Sequence, residues 1–303
     1  MAEKPPSQRR PPSDSSEGPW IAAPPPGNGG LVEELVGAPT TQSEPAPLRS
    51  TQGLRGRVAV VTGGSSGIGR AIALEFASSG AHVAFNFLDT GAESRTSAHR
   101  VAAELEERDV KVFCRACDVR ESSGVEAFVA EAREELGGLH FLVNNAGIGR
   151  DRALWRMTDE EWEAVLATNL TGAFYFIRAV APHLRAQEWG KIVNVSSVHG
   201  LRGEFGLANY ISSKSGLLGL TRSAAVDLGA SNINVNAVAP GYIRTTQLAD
   251  QVPAEILDGA RERSALGRLG DPQDVAGVVV FLCSEGARHI TGAVIPIDGG
   301  YLL

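Results

Sequence analysis

The sequence is poor in the features that define several large classes of protein. It has three cysteines, an odd number that does not build a disulfide framework. No apolar run reaches the roughly 18 residues of a membrane span, and glycine does not recur at every third position as in collagen. The net charge of −7 argues against the basic surface of proteins that bind nucleic acids or membranes. We therefore expect a soluble, cytoplasmic protein with no nucleic-acid or membrane partner.

Prolines are concentrated at one end of the chain. Eleven of the 16 prolines lie in residues 1–50, with Ser, Gly and Gln between them. Such a segment cannot bury enough apolar surface to offset the entropy of ordering it. We predict a disordered tail over residues 1–52 and one folded domain over residues 53–303. The tail lacks the apolar core of a secretory signal, and its acidic residues do not fit a transit peptide.

Beyond the tail, short apolar runs alternate with segments of helical periodicity. The chain is 43% hydrophobic, which is enough for a sizeable core. Strands that are apolar on both faces are typical of a parallel sheet covered by helices on both sides. The predicted fold is therefore α/β, a doubly wound, Rossmann-like parallel sheet. Strands are predicted over 58–62, 82–87, 110–116, 141–144, 191–195, 234–239 and 293–297, and helices over 70–79, 93–107, 125–136, 162–181, 210–228 and 272–283.

A glycine-rich loop joins the first predicted strand to the first predicted helix. A turn this tight needs residues without a Cβ atom, and the following helix offers free N–H groups and a positive dipole end to a pyrophosphate. The spacing Gly-x-x-x-Gly-x-Gly is wider than the common dinucleotide fingerprint, and no Gly-Lys-Ser/Thr follows as in a Walker loop. The pattern predicts a dinucleotide site that includes Gly63, Ser65, Ser66, Gly67, Ile68 and Gly69.

Two groups of polar residues lie further along the chain. Tyr210 and Lys214 are four residues apart at the start of a predicted helix, so they share one face. An ammonium beside a phenol lowers the phenol pKa, which would make Tyr210 a proton donor and acceptor near neutrality. Ser196 and Ser197 follow the fifth predicted strand, at the edge where parallel sheets place ligands. A hydroxyl there can donate to a carbonyl oxygen, although turn or capping serines fit equally well.

Taken together, these motifs resemble those of the short-chain dehydrogenase/reductases. The resemblance covers about residues 54–303. The stretch from Gly149 to Trp162, followed by Thr168-Asn-Leu170, is most similar to the β-ketoacyl reductases of that family. The motifs that carry the resemblance, in the order and spacing of the family, are the glycine loop, Asn144-Asn-Ala-Gly147, Asn169, Ser197, Tyr210-x-x-x-Lys214 and Pro240-Gly241.

The resemblance implies a role for each of these residues. Tyr210 would be the general acid/base, and Lys214 would lower its pKa and bind the nicotinamide ribose. Ser197, rather than Ser196, would orient the substrate carbonyl, and Asn169 would bend its helix and anchor a water in a proton relay. The implied reaction is hydride transfer between a nicotinamide and a carbonyl carbon. Besides the glycine loop, Tyr210 and Lys214, the implied cofactor contacts are Asn86, Phe87, Asp118, Val119, Asn145, Ala146, Gly147, Pro240, Gly241 and Ile243.

The end of the second predicted strand indicates which nicotinamide cofactor to expect. NAD enzymes place an acid there that accepts from both ribose hydroxyls and repels a 2′-phosphate. In this chain the position is Phe87, beside Asn86, and neither residue is acidic. Asn86, Ser66 and Arg95 would hold a compact phosphate, whereas Asp89 would take the part of the acid if the loop were shifted. We therefore expect a preference for NADP(H), with NAD(H) as the alternative.

The resemblance also implies a substrate class and an assembly. A β-ketoacyl reductase would reduce a 3-oxoacyl thioester of acyl carrier protein or of coenzyme A. The positions where the family presents basic residues to the carrier protein correspond to Glu188 and Ser231, which leaves carrier docking in doubt. An alcohol dehydrogenase for a polyol, a steroid or a secondary-metabolite ketone is the alternative enzyme, and a nucleotide-sensing scaffold is the alternative outside enzymology. A homotetramer is implied, with helices 160–182 and 210–231 at one interface and residues 293–303 at another.

Two features that suggest further chemistry have simpler interpretations. Cys114 and Cys117 form a CxxC pattern, but residues three apart in a strand point to opposite faces. We interpret them as core residues and predict no metal site. His199 lies just past Ser197, and we interpret it as a solvated loop histidine, with substrate contact as the alternative.

Overall fold

The computed structural model describes residues 53–246, 248 and 252–303. The predicted disordered tail, residues 1–52, lies outside this part of the chain. The strands are β1 Val58–Val61, β2 His82–Phe87, β3 Val112–Ala116, β4 Phe141–Asn144, β5 Gly190–Val195, β6 Ile233–Pro240 and β7 Val294–Ile297. The helices are α1 Gly67–Ser78, α2 Ala92–Glu106, α3 Ser122–Leu136, α4 Asp159–Leu166, α5 Gly172–Ala186, α6 Ala208–Gly229, α7 Ala254–Arg263 and α8 Pro272–Cys283.

The strands form one parallel sheet in the order β3-β2-β1-β4-β5-β6-β7. The chain builds outward from β1 to β3 and then crosses back to β4, from which it builds in the opposite direction. The strand order therefore reverses between β1 and β4. Such a reversal leaves a crevice at the carboxyl edge of the sheet, where α/β folds bind ligands. The glycine loop after β1 and residues 144–147 after β4 meet at this crevice.

The strands are apolar because helices cover both faces of the sheet. In β1, Ala59 and Val61 belong to one buried cluster, while Val58 and Val60 belong to another. The first cluster includes the inward faces of α1, α2 and α8, and the second includes those of α3, α5 and α6. Burial of apolar surface is the dominant favourable term in folding, and here it acts on both sides of the sheet. The predicted doubly wound α/β architecture is confirmed.

The element boundaries differ from the sequence-based ones at two informative places. Helix α1 begins at Gly67, three residues before the predicted start, so the end of the glycine loop forms the first helical turn. The bend that the resemblance implies at Asn169 is a π-helical turn, Ala167–Thr171, which joins α4 to α5. Single π turns of this kind are frequently found at functional sites. Helix α7 lies in the segment 245–265, for which the sequence analysis assigned no structure.

One helical run meets the length and composition test for a membrane span. It extends from Asp159 to Ala186, through α4, the π turn and α5. Phe176, Val180 and Leu184 in this run are fully buried, in the cluster that packs against the sheet. A core helix passes the same test, and the packing of these three side chains is that of a core helix.

We expect Gly69→Ala to destabilise the fold through a backbone clash. A Cβ at position 69 would lie 2.2 Å from the carbonyl oxygen of Gly63. Gly277 in α8 is the matched control, since nothing lies within 4 Å of its Cβ position. Gly277→Ala should stabilise the fold by about 0.5–1 kcal/mol, because alanine is the better helix former. Thermal unfolding of both variants measures the difference, and equal melting temperatures would contradict the tight turn.

Candidate active site

The glycine loop opens the N-terminus of α1 into a cleft of about 1130 Å³. Ser66 precedes the helix in an extended conformation, its side chain makes no capping hydrogen bond, and the first turn carries no acidic residue. Free N–H groups and the positive end of the helix dipole therefore remain available at the cleft. This arrangement fits a pyrophosphate. Every cofactor-binding residue predicted from the sequence lines the same cleft.

A hydrogen-bond network around Thr62 holds the loop in place. Its Oγ1 accepts from the backbone N–H groups of Asn145, at 2.9 Å, and Ala146, at 3.0 Å. The Asn145 Nδ2 donates in return to the carbonyl oxygen of Thr62 at 2.9 Å. These bonds tie the end of β4 to the end of β1. Asn145, expected on the ribose side of the cofactor, uses its amide on the loop itself.

Asn86 makes a second connection to the loop. Its Oδ1 accepts from the Gly63 N–H at 3.2 Å, and its Nδ2 donates to the carbonyl oxygen of Cys117 at 2.8 Å. The side chain is 2% exposed. The amide is therefore engaged within the protein, contrary to the expectation that it donates to a cofactor phosphate. Its partners are 23 and 31 residues away along the chain, so the sequence pattern did not reveal them.

The acids near the end of β2 are paired with arginines. Asp89, the alternative ribose acceptor, binds Arg95 at 2.9 Å, and the hydrogen bonds from Arg95 lower the pKa of its carboxyl group. Asp89 does not line the cleft, whereas Asp118 does, and Asp118 is paired with Arg120. The side chain at the end of β2 is that of Phe87, which is buried and apolar.

The side chains expected to act on the substrate meet in the same cleft. Helix α6 carries Tyr210 and Lys214 one turn apart, and Ser197 follows β5. The Ser197 Oγ accepts from the backbone N–H of His199 at 3.1 Å and lies beside the Tyr210 phenol. The Ser196 Oγ instead donates to the carbonyl oxygen of Lys214 at 2.9 Å. Ser197, and not Ser196, therefore presents its hydroxyl group next to Tyr210.

Burial dominates the protonation of Tyr210 and Lys214. Lys214 is 4% exposed, and burial lowers its pKa to about 8. Desolvation raises the pKa of the Tyr210 phenol, and the hydrogen bond with Ser197 only partly opposes this shift. The expected lowering of the Tyr210 pKa by Lys214 is absent from this structure. The Lys214 Nζ lies 5.7 Å from the centroid of the Tyr210 ring and donates to the carbonyl oxygen of Val195 at 2.8 Å.

The π turn places Asn169 beside these groups. Its Oδ1 accepts from the Ile148 N–H at 2.8 Å, and its Nδ2 donates to the Ile148 carbonyl oxygen at 3.0 Å and to the Ser213 Oγ at 3.1 Å. A Cβ on Gly147 would lie 3.3 Å from the Asn169 Oδ1 and 3.4 Å from the Lys214 Nζ. Asn169 therefore holds the segment after β4 in position, and the helix containing it is interrupted at the place expected.

The segment after β6 closes the far end of the cleft. Pro240 ends the strand, and a Cβ on Gly241 would lie 3.0 Å from the Cα of Asp298. Ile243 is buried, and its backbone pairs with that of Gly270. Contacts with Asp298 and Gly270 therefore hold this segment in place. It offers an apolar surface to the cleft, which suits the packing of a flat ring.

Three side chains of the cleft were missed or misread in the sequence. Tyr242 lines it without belonging to any quoted motif, and Asp151 lines it within the quoted stretch from Gly149 to Trp162, to which no role was given. Burial raises the pKa of the Asp151 carboxyl group, and the charge of Asp151 contributes to the raised pKa of Tyr210. His199, interpreted as a solvated residue, is 8% exposed. That interpretation is wrong because the turn Val198–Gly200 packs against α6 rather than projecting into solvent.

Sequence comparison identifies the relatives of this chain. The family described as enoyl-(acyl carrier protein) reductase matches residues 63–302. The 3-oxoacyl-[acyl-carrier-protein] reductase FabG of Aquifex aeolicus is 44% identical over 251 residues, which are 82% of this chain and 98% of that protein. The enzyme of the same name from Staphylococcus aureus is 42% identical over 242 residues, which are 80% of this chain and 96% of that protein.

Solved structures give the same result. A candidate short-chain alcohol dehydrogenase from Sinorhizobium meliloti 1021 superimposes with a TM-score of 0.78 at 38% identity, covering 84% of this chain and 99% of its own. Levodione reductase superimposes with a TM-score of 0.76 at 34% identity, covering 81% and 97%. The chain belongs to the short-chain dehydrogenase/reductase family and is an oxidoreductase that acts on CH–OH groups with a nicotinamide cofactor. Within that family it is most like the 3-oxoacyl reductases.

Tyr210→Phe should abolish turnover and leave cofactor affinity nearly unchanged, because it removes only the phenol hydroxyl. Lys214→Met should impair both, because Lys214 lines the cleft and its ammonium group has protons that the Val195 carbonyl does not take. Tyr175→Phe on α5 removes a hydroxyl outside the cleft and serves as the control. Steady-state kinetics and cofactor titration measure these effects. A Tyr210→Phe enzyme with more than about a tenth of wild-type activity would contradict the assignment, since general acids contribute 10²–10⁴-fold.

Proposed function

We propose that this enzyme uses NADP(H) to reduce a 3-oxoacyl thioester to the 3-hydroxyacyl form. Two observations support the proposal. The relatives that match over about four fifths of the chain are named as 3-oxoacyl-[acyl-carrier-protein] reductases. Ser197, Tyr210 and Lys214 meet at the carboxyl edge of the sheet, in the cleft that also contains the glycine loop. The second observation carries the proposal, because it puts proton-transfer chemistry next to a dinucleotide site.

In the proposed mechanism, the side chains of the site orient the carbonyl oxygen of the substrate and protonate it. The nicotinamide, when bound, supplies a hydride for the carbonyl carbon. Ser197 donates a hydrogen bond to the carbonyl oxygen and orients it toward Tyr210. Tyr210 gives its phenol proton to that oxygen as negative charge develops there. Lys214 binds the ribose hydroxyls with the protons that Val195 does not use, and its positive charge stabilises the resulting phenolate.

Asn169 is proposed to act as a positioning residue in the same mechanism. Its amide fixes the backbone of Ile148 from both sides. Gly147, the preceding residue, lies against the Lys214 ammonium. The geometry of the proton-transfer groups therefore depends on the π turn. A water held near Asn169 would complete the relay that returns a proton to Tyr210.

The preference for NADP(H) is proposed from the end of β2. Phe87 occupies the position where an NAD enzyme needs a carboxylate, whereas Asp89 does not line the cleft and is paired with Arg95. The acid that does line the cleft near this strand end, Asp118, is paired with Arg120. Because the Asn86 amide is engaged with the loop, the phosphate would be held by Ser65 and Ser66.

We expect the wild-type enzyme to prefer NADPH over NADH by about tenfold in kcat/KM, which is about 1.4 kcal/mol. Phe87→Asp should reverse the preference, because the new carboxylate accepts from the ribose hydroxyls and repels the phosphate. Phe87→Leu keeps the position apolar and is the matched control. A wild-type preference for NADH, or a Phe87→Asp enzyme that still prefers NADPH, would contradict the proposed site.

A free ketone is the second candidate substrate. The positions corresponding to the basic residues of carrier-binding relatives are Glu188 and Ser231, and Glu188 is exposed. An acidic carrier protein would meet a negative side chain there, which disfavours its docking. Coenzyme A thioesters and unattached ketones are not subject to this repulsion.

A substrate panel decides between the two candidates. Acetoacetyl-carrier protein, acetoacetyl-coenzyme A, a cyclic diketone and a sugar alcohol are compared by the change in reduced-cofactor absorbance. The thioester proposal predicts the highest kcat/KM for an acetoacetyl thioester. Glu188→Lys should raise kcat/KM for the carrier-bound substrate and leave the coenzyme A substrate unchanged. Turnover of free ketones alone would favour the second candidate, and turnover of none with cofactor still bound would favour a nucleotide-binding scaffold.

We further propose a cytoplasmic homotetramer. Large apolar side chains are exposed on the three helices that the family resemblance places at an interface, namely Trp162 on α4, Phe174 on α5 and Val226 on α6. Light scattering should give four times the chain mass of 31.8 kDa. Val226→Arg should reduce that mass, because it introduces charge into the interface. A monomeric wild-type mass would contradict the proposal.

A further inference from the structure

His199 carries a buried ring nitrogen that has no hydrogen-bond partner among the described residues. It lies in the turn after β5, and its side chain lines the cleft although the residue is only 8% exposed. Its ring packs edge-on against Tyr210, with ring centroids 6.3 Å apart, and against Tyr242, with centroids 5.9 Å apart. These two rings fix the plane of the imidazole, so its nitrogen atoms point in defined directions.

The two ring nitrogens have different surroundings. The Nδ1 lies 3.5 Å from the Ser197 Oγ, at the limit of a hydrogen bond. The Nε2 is buried and has no hydrogen-bond partner in the part of the chain that the structure describes. A buried polar atom without a partner costs free energy, and such atoms are rare in folded proteins. A partner that arrives with the substrate would remove that cost.

The imidazole is neutral near pH 7, because burial lowers the pKa of His199. The nearby charges of Glu204 and Arg202 act on that pKa in opposite directions. A neutral ring carries one N–H group, on either Nδ1 or Nε2. Because the contact with Ser197 is long, it does little to favour the tautomer that carries the proton on Nδ1. With the proton on Nε2, both the Ser197 hydroxyl and the Nε2–H are available as donors to a bound substrate.

We propose that the Nε2–H of His199 donates a hydrogen bond to a second oxygen of the substrate. The inference rests on the proposed function and assigns a residue to the recognition of the second carbonyl oxygen of its substrate. The reacting oxygen binds between Ser197 and Tyr210, and the His199 ring adjoins both, with its Nδ1 3.5 Å from the Ser197 Oγ and its centroid 6.3 Å from that of the Tyr210 ring. A 1,3-dicarbonyl compound, which carries its second oxygen two carbons from the first, matches this pair of donors. His199 is therefore a specificity-determining residue that selects such compounds over simple ketones.

Kinetics on a matched substrate pair test this inference. One compound is an acetoacetyl thioester, and the other is a methyl ketone of the same length without the thioester carbonyl. His199→Phe keeps the ring packing and removes both nitrogens. His199→Gln places an amide N–H near the former position of the Nε2. His99→Phe, an exposed substitution on α2, is the control for changes unrelated to the site.

His199→Phe should lower kcat/KM for the thioester by about tenfold or more, because a site built to hydrogen-bond an oxygen loses its donor. Its kcat/KM for the methyl ketone should stay within about twofold of wild type. His199→Gln should recover much of the lost thioester activity, and His99→Phe should match wild type on both compounds. An equal loss on both compounds would overturn the inference, and so would no loss on either compound.

The design separates failure of this inference from failure of the proposed function. If wild type reduces the thioester and His199→Phe changes both compounds alike, only the inference fails. If wild type reduces neither compound, the proposed function fails, and binding of the thioester to the complex of enzyme and reduced cofactor decides the inference. Weaker binding to His199→Phe than to wild type, with recovery in His199→Gln, would support it. Equal binding to all three proteins would overturn it.

Discussion

The turn from β1 into α1 leaves no room for a side chain at Gly64 or Gly69, and the rest of the site depends on that close approach. Beside the contact between Gly69 and Gly63, a Cβ on Gly64 would lie 2.5 Å from the Cβ of Phe85 in β2. The loop therefore lies flat across the ends of two strands. Its helix begins directly at the reversal of strand order, where its N–H groups and dipole face the cleft. Thr62 then joins the end of β4 to the same loop, so both sides of the crevice have one fixed geometry.

Desolvation of Tyr210 and Lys214 is the second constraint. On the proposed function, it couples cofactor binding to acid–base chemistry. Burial disfavours the charged forms of both side chains, namely the Tyr210 phenolate that proton transfer leaves and the Lys214 ammonium that stabilises it. The Lys214 ammonium donates one hydrogen bond to the carbonyl oxygen of Val195 and has further protons that can be donated to a ligand. A ribose that accepts them would favour the charged lysine and, through it, the phenolate. On the proposed function, cofactor binding would therefore lower the free-energy cost of forming the phenolate.

The sequence was sufficient for the fold and for the position of the site, but not for the partners of individual side chains. Buried parallel strands read as apolar runs, so β2 and β4 were predicted with their observed boundaries. The start of α1 was missed because glycine is a poor helix former, although Gly67 and Gly69 are helical here. The Asn86 amide was expected to hold a cofactor phosphate, and instead it is hydrogen-bonded to the backbone of Gly63 and Cys117. These partners follow other strands and are distant along the chain, so they leave no local pattern in the sequence. His199 was misread for the same reason, since its burial comes from α6.

The polar residues around the cleft divide into two groups by their spare hydrogen-bonding capacity. Asn86, Asn145 and Asn169 use their amides on neighbouring backbone, and they fix the loops that follow β1 and β4. Residues with unused polar atoms are the ones that can recognise a ligand, because a group already satisfied gains nothing from a new partner. Ser197, Lys214 and His199 remain in that group. On the proposed function, ligand recognition at this edge of the sheet therefore depends on Ser197, Lys214 and His199. Of these, His199 is the one whose free polar atom is not needed for hydride or proton transfer.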